Sequence, residues 1–255
     1  MVGDERLGAA EVLGDSRFML MIVVYSGFWI LYFQNFGSVL WYLRDFVDRA
    51  PVSAAITGLL AAIGLDVNFT FDAEHVTVIN AGTIILLQVL VSRIVAQRAA
   101  LPTMVAGMAM GAVGFALLAL SFNPWVFIAG IAVFSIGEMT AHPKYYSFVG
   151  LVAPQDRKAV YMGYAFLYGV FGSLIGSNLG AFLYERFLQP AAGTEHARAA
   201  ATRFWLLFAL LDIVAAAGLV LFAKRFGVDT PDSGLWPYLY LYNSSLQAAT
   251  SDVYS

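Results

Sequence analysis

Cysteine is absent from the 255-residue sequence, which excludes a disulfide framework and a cysteine-ligated metal. Charge is scarce. Asp, Glu, Lys and Arg make up 12% of the residues, against about 25% in an ordinary soluble domain. The net charge of −3 is too small to point to nucleic acid or an acidic substrate. The sequence has no G-x-S-x-G elbow, no H-E-x-x-H pattern and no Gly-rich phosphate loop ending in Lys-Ser/Thr. Nothing pairs a nucleophile with a base, so no catalytic residue and no metal site is expected, and the chain does not read as an enzyme. Residues 1–16, MVGDERLGAAEVLGDS, lack a basic start and an apolar middle and do not read as a signal peptide.

What is there is apolar. Hydrophobic residues make up 60% and the mean hydropathy is +0.74, the composition of a membrane protein. A spanning helix needs about 20 mostly apolar residues. Six runs qualify: 18–42, 76–95, 101–120, 125–148, 160–184 and 204–222. The expected fold class is therefore all-α, an integral membrane bundle of six transmembrane helices over 17–226, with a segment 1–16 before it and a tail 227–255 after it. The WPYLYLY piece of that tail suits a membrane surface. The stretch PVSAAITGLLAAIGL, 51–65, is too short to cross. It predicts an interfacial or re-entrant helix inside an outer loop over 47–75.

The basic residues orient the bundle. With six spans and a cytoplasmic N-terminus, nine of the fourteen fall inside (Arg6, Arg17, Arg93, Arg98, Lys144, Arg157, Lys158, Lys224, Arg225) and five outside (Arg44, Arg49, Arg186, Arg198, Arg203). This favours both ends in the cytoplasm of a multi-pass protein of the cell (inner) membrane.

Glycines recur every four residues at Gly107 and Gly111, and at Gly172, Gly176 and Gly180. Small residues at that spacing let helix backbones approach closely in lipid.

The polar residues inside the spans carry the functional reading, because a charge at the bilayer centre costs about 2.5–3.5 kcal/mol on insertion scales. Glu138 is the deepest. His142 lies one turn below it on the same face. Pro143 lacks an amide hydrogen and predicts a kink near Met139. Freed backbone is tolerated in a membrane only against protein or a wet cavity, so this face reads as a cavity wall; the plainer alternative is a neutral Glu138 bonded to a neighbouring helix. Lys144 is expected to snorkel to the cytoplasmic side. Gln34 and Ser38 sit one turn apart and read as cavity contacts. Tyr25, Trp29 and Tyr32 form an aromatic stripe beside them. Tyr161, Tyr164 and Tyr168 follow at helical spacing and either line a substrate path or pack. Asn80, Gln88 and Asn178 suit hydrogen bonds between helices. Asp212, midway along the last run, requires a partner or a proton.

Taken in order, these residues resemble the C-terminal half of a major facilitator superfamily transporter, and more narrowly the proton-coupled oligopeptide transporter family. Phe28-Trp29 with Gln34 and Ser38 is similar to that family's seventh helix. Asn80 opens the next helix as the family's asparagine does. Ile136-Gly137-Glu138 followed by Pro143 resembles its tenth helix, and Ala153-Pro154 with Met162-Gly163 the junction into its eleventh. The likeness covers about 17–225. It departs at Asn80-Ala81, where the family often has Asn-Pro, and in a longer loop over 51–73. The family's E-x-x-E-R motif has no counterpart.

The resemblance implies half of a facilitator fold, built as two inverted three-helix repeats with substrate held near the midplane. It implies Glu138 as the residue that holds a peptide amine, with Gln34 and Ser38 on the matching seventh-helix motif; the residues themselves add Trp29, Tyr164 and Tyr168 as substrate-binding candidates, and Glu138, His142 and Asp212 as candidates for proton coupling. No cofactor is implied beyond the proton gradient. The implied partners are the lipid bilayer, a di- or tripeptide or similar small molecule, and a missing N-terminal six-helix half or another copy of the chain. A facilitator for a drug, sugar or organic anion, and a non-transporting membrane scaffold or regulatory module, are the alternatives.

Overall fold

The computed structural model describes residues 10–226, and the ordered elements among them are helices. These are α1 (Ser16–Tyr32), α2 (Ser38–Phe46), α3 (Ala50–Ala62), α4 (Glu74–Val95), α5 (Ala100–Leu120), α6 (Pro124–Val152), α7 (Lys158–Tyr164), α8 (Leu167–Leu183) and α9 (Ala197–Phe226). Six stretches are long and apolar enough to cross a membrane: Ser16–Phe36, Glu74–Val95, Ala100–Leu120, Pro124–Val152, Lys158–Ala191 and Ala197–Phe226. The expected all-helical, six-span makeup is met. The WPYLYLY piece and the rest of the tail lie outside the described residues.

Two of the spans are not the continuous helices expected. The first is interrupted by a 3-10 turn at Phe33–Phe36 and resumes at Ser38. The fifth breaks between α7 and α8 and closes in a π-type turn at Tyr184–Leu188. In both, side chains take up freed carbonyls. Gln34 Nε2 donates to the Ile30 carbonyl at 2.8 Å, and the Tyr145 hydroxyl donates to that of Ala165 at 2.8 Å. The fourth span, α6, runs unbroken through Pro143.

Helix α3 stays short because it is stopped. Gly64 takes a left-handed φ of 83°, which a side chain would resist. Its amide bonds the Ala61 carbonyl at 3.0 Å and that of Leu65 bonds Leu60 at 2.9 Å, the double closure of a Schellman cap. The chain then doubles back along α3. Ser53 Oγ and Thr57 Oγ1, one turn apart, accept the amides of Phe71 and Phe69 at 2.9 and 3.0 Å.

Close backbone approach sets the packing of the spans. A Cβ built on Gly107 falls 2.7 Å from the Gly137 carbonyl, and one on Gly114 falls 2.7 Å from that of Gly130. So α5 and α6 lie antiparallel with glycine facing glycine. Gly172, Gly176 and Gly180 of α8 meet Trp29, Ile30 and Gln34 in the same order, which makes α1 and α8 parallel. Gly27 against Ala215 and Gly218 against Val24 make α1 and α9 antiparallel. Helix α9 also runs antiparallel to α5, where Thr202 Oγ1 donates to the Ala119 carbonyl at 3.0 Å and Arg198 donates to that of Leu120. Helix α4 packs on α6. The glycine spacings thus serve packing, as helices without a hydrophobic driving force between them require.

An aromatic core joins α1, α5, α6 and α9. Phe28 stacks on Phe134 with centroids 5.6 Å apart, Phe134 meets Phe115 at 5.2 Å, and Phe115 meets Trp205 at 5.5 Å. Outward, Ile85 and Leu86 of α4 are 77% and 80% exposed, the mark of a face that meets lipid rather than water.

Candidate functional site

The face of α6 that carries Ser135, Glu138 and His142 is aimed by its opposite side. Gly137 and Ala141 lock against Gly107 of α5, which fixes the rotation of α6 and leaves Ser135 buried and Glu138 and His142 half-buried. Asn80 of α4 then bridges two of them: its Nδ2 donates to Ser135 Oγ at 2.8 Å and to Glu138 Oε2 at 3.2 Å. Ser135 Oγ in turn donates to the Ile131 carbonyl at 2.8 Å. Glu138 is half-buried. Among the described residues, neither of its carboxyl oxygens meets a cation. Of the three residues expected to bond between helices, Asn80 does so. Asn178 instead donates to its own helix at Leu174, 2.6 Å away, and Gln88 is exposed.

One turn further along α6, His142 sits in an aromatic box. Its ring lies edge-on to Trp29 of α1 at 5.1 Å, to Tyr146 at 5.1 Å and to Tyr168 of α8 at 5.7 Å. Trp29 also meets Tyr168 at 4.5 Å and Tyr32 at 4.4 Å. The Tyr146 and Tyr168 hydroxyls are 3.0 Å apart. His142 Nδ1 is buried without a hydrogen-bond partner. The structure therefore brings Trp29, His142 and Tyr168 from three helices into one cluster next to Glu138. Tyr146 was missed in sequence, although it stands four residues after His142 and shares its face.

Other predicted residues go elsewhere. Gln34 and Ser38 are each 1% exposed. Gln34 Nε2 donates to Gly176 of α8 as well as to Ile30, and Ser38 Oγ donates to Gln34 Oε1, all at 2.8 Å. Their polar atoms serve the joint between α1 and α8, not an open wall. Tyr164 is half-buried against the core, and Tyr161 donates to Asp15 at 3.0 Å. Asp212 is wholly buried, close to Gly111 of α5 and to Phe28, and neither carboxyl oxygen makes a hydrogen bond of good geometry.

Lys144 does not snorkel. It is buried, and its Nζ donates to the carbonyls of Arg98 and Ala96 at 2.7 and 3.1 Å. A cation there satisfies orphan carbonyls just past the C-terminus of α4, where the helix dipole is negative. Among the described residues no group of three or more His, Cys, Asp or Glu side chains could hold a metal.

The chemistry of these side chains suits a cation or a proton. A carboxylate one turn from an imidazole, backed by aromatic faces, attracts an ammonium group by charge and by ring quadrupole. Compared with protein-family models and with curated proteins, the sequence matches none.

Proposed function

We propose that the chain is one half of an alternating-access transporter of the major facilitator type, nearest to the proton-coupled oligopeptide transporters. In this reading it takes part in proton-driven uptake of small peptides or similar solutes across a cell membrane. The observation that carries the reading is Glu138. It is an acid within a spanning helix, half-buried, oriented by Asn80 at 3.2 Å and free of any cation among the described residues. Ionisable residues are kept within membranes for a pathway or a partner. Glu138 holds the substrate's amine, Trp29 and Tyr168 offer ring faces beside it, and Glu138 with His142 carries the proton.

The helix pairings support an inverted-repeat plan. Take α1, α4 and α5 as one repeat and α6, α7–α8 and α9 as the other. Exchanging first, second and third helices maps the parallel pair α1–α8 onto α6–α4, which is also parallel, since Asn80 meets Ser135 and Arg98 meets Lys144. It maps the antiparallel pair α1–α9 onto the antiparallel α6–α5, and α5–α9 onto itself. Two repeats related by a two-fold axis in the membrane plane behave this way. The bias of basic residues supports cytoplasmic termini. A second six-helix bundle closes the open face, supplied by a separate half, another copy or further chain.

The test is reconstitution in liposomes with an inward proton gradient. The bundle alone gives no dipeptide uptake, while the assembly with its partner half does. Vectorial uptake by the purified monomer contradicts the half-transporter reading. Dipeptides that neither bind nor compete overturn the peptide reading in favour of another solute.

A further inference from the structure

Where α1 begins and α9 ends, the bundle holds a cavity of about 190 Å³. Phe18 and Met21 of α1, Phe148 of α6 and Phe222 of α9 form its apolar wall, and Asp15, Arg17 and Tyr161 a polar one. That volume exceeds an apolar cavity of about 150 Å³ that stays dry and admits benzene, so a stretch of hydrocarbon fits.

The rim is basic. The guanidinium of Arg17 lies over the Phe226 ring at 5.2 Å, and that of Arg225 approaches the same ring at 5.7 Å. Lys224 belongs to the same last turn of α9. Among the described residues none of these three cations is in an ion pair. The acids nearby are engaged. Asp15 Oδ1 accepts the amides of Arg17 and Phe18 at 3.1 Å each, and its Oδ2 accepts the Tyr161 hydroxyl at 3.0 Å. Glu11 pairs with Arg157. At the opposite end of the bundle two cavities carry an arginine: Arg44, paired with Asp45 at 2.6 Å, and Arg203, in no ion pair among the described residues.

A part-apolar slot under arginines that make no ion pair among the described residues, set at the end of a spanning bundle, matches an amphiphile with an anionic head. We propose that this cavity binds an anionic phospholipid, its phosphate between Arg17 and Arg225 and one acyl chain against Phe18, Met21 and Phe222. The site stands apart from Glu138 and does not depend on what the bundle carries.

Native mass spectrometry of the full chain, titrated with dioleoyl phosphatidylglycerol or dioleoyl phosphatidylcholine, tests it. One phosphatidylglycerol binds at least about tenfold more tightly than phosphatidylcholine. Arg17→Gln and Arg225→Gln each weaken it about fivefold, whereas Arg44→Gln leaves it unchanged. Val152→Trp, which narrows the same cavity at a half-buried position, weakens both lipids. Equal affinity for the two lipids overturns the proposal, as does an equal loss on Arg44→Gln. Competition by inorganic phosphate as effective as that by the lipid makes this a free-anion site and also overturns it.

Discussion

Asn80 and Glu138 are joined across α4 and α6 by an Nδ2···Oε2 hydrogen bond of 3.2 Å. Helix α4 packs on little besides α6, so this bond fixes how the acid is presented. Hydrogen bonds between membrane helices are worth about 0.6 kcal/mol on average. The bond therefore orients Glu138 far more than it stabilises the bundle.

Separating orientation from stability gives the first expectation. On the proposed transport reading, Asn80→Ala lowers the thermal midpoint in detergent only slightly but weakens dipeptide binding to the assembly several-fold. Glu138→Gln retains the fold and loses more than tenfold in affinity for solutes with a free amine, with little change for N-acetylated ones. Calorimetric titration of both solutes measures this, and equal losses for the two contradict it.

The glycine seam between α5 and α6 should tolerate nothing larger. Gly107→Ala places a methyl 2.7 Å from the Gly137 carbonyl and the Ala141 amide nitrogen. The helices must separate, at a cost of about 1–3 kcal/mol. Gly82→Ala on α4 meets nothing within 4 Å and gains helix propensity. Thermal unfolding in detergent should rank Gly107→Ala below the parent and Gly82→Ala at or above it.

How much of this was legible beforehand follows from what each signal measures. Hydropathy windows found the six spans and the short α3, because length and apolar content decide whether a helix can cross. They were blind to the break at Phe33–Phe36, where the amide of Gln34 replaces a backbone donor; that same exchange is why Gln34 became a joint rather than a cavity contact. Lys144 was misplaced for a related reason. Its acceptors lie 46 and 48 residues earlier, and spacing along one helix carries no trace of a partner on another. The convergence of Trp29, His142 and Tyr168 needed three helices in register, which only packing supplies.

Removing the cation that closes the turn after α4 gives a third expectation. Lys144→Met strips the Ala96 and Arg98 carbonyls of a buried donor, and an unsatisfied buried acceptor costs about 1–3 kcal/mol. Hydrogen exchange should rise in the turn between α4 and α5 and not in α9. Uniform exchange across the bundle would argue against a local role.

A pH effect is expected at Asp45, in the last turn of α2 and beyond the Ser16–Phe36 span. The Arg44 guanidinium, bonded to Asp45 at 2.6 and 2.8 Å, holds that carboxyl below the usual range, and the Tyr184 hydroxyl at 2.7 Å adds to the effect. A carboxyl lowered on folding stabilises the fold above its unfolded value of about 3.9. That stability is lost as pH falls through the lower folded value. Arg44 is 56% exposed, so the pair itself contributes under about 1 kcal/mol. Tyr184→Phe should raise the Asp45 pKa and lower stability at pH 7 by about 1 kcal/mol, leaving less stability to lose on acidification. An NMR titration of Asp45 with melts at both pH values checks it.

The absence of cysteine makes the central claim directly measurable. Glu138→Cys and, as a lipid-facing control, Leu86→Cys are each treated in membranes of the assembled protein with a charged methanethiosulfonate, which reacts only with a water-exposed thiolate. The account predicts rapid labelling at position 138 and none at position 86. An unreactive position 138 alongside intact folding would contradict it, because the acid would then face no aqueous path.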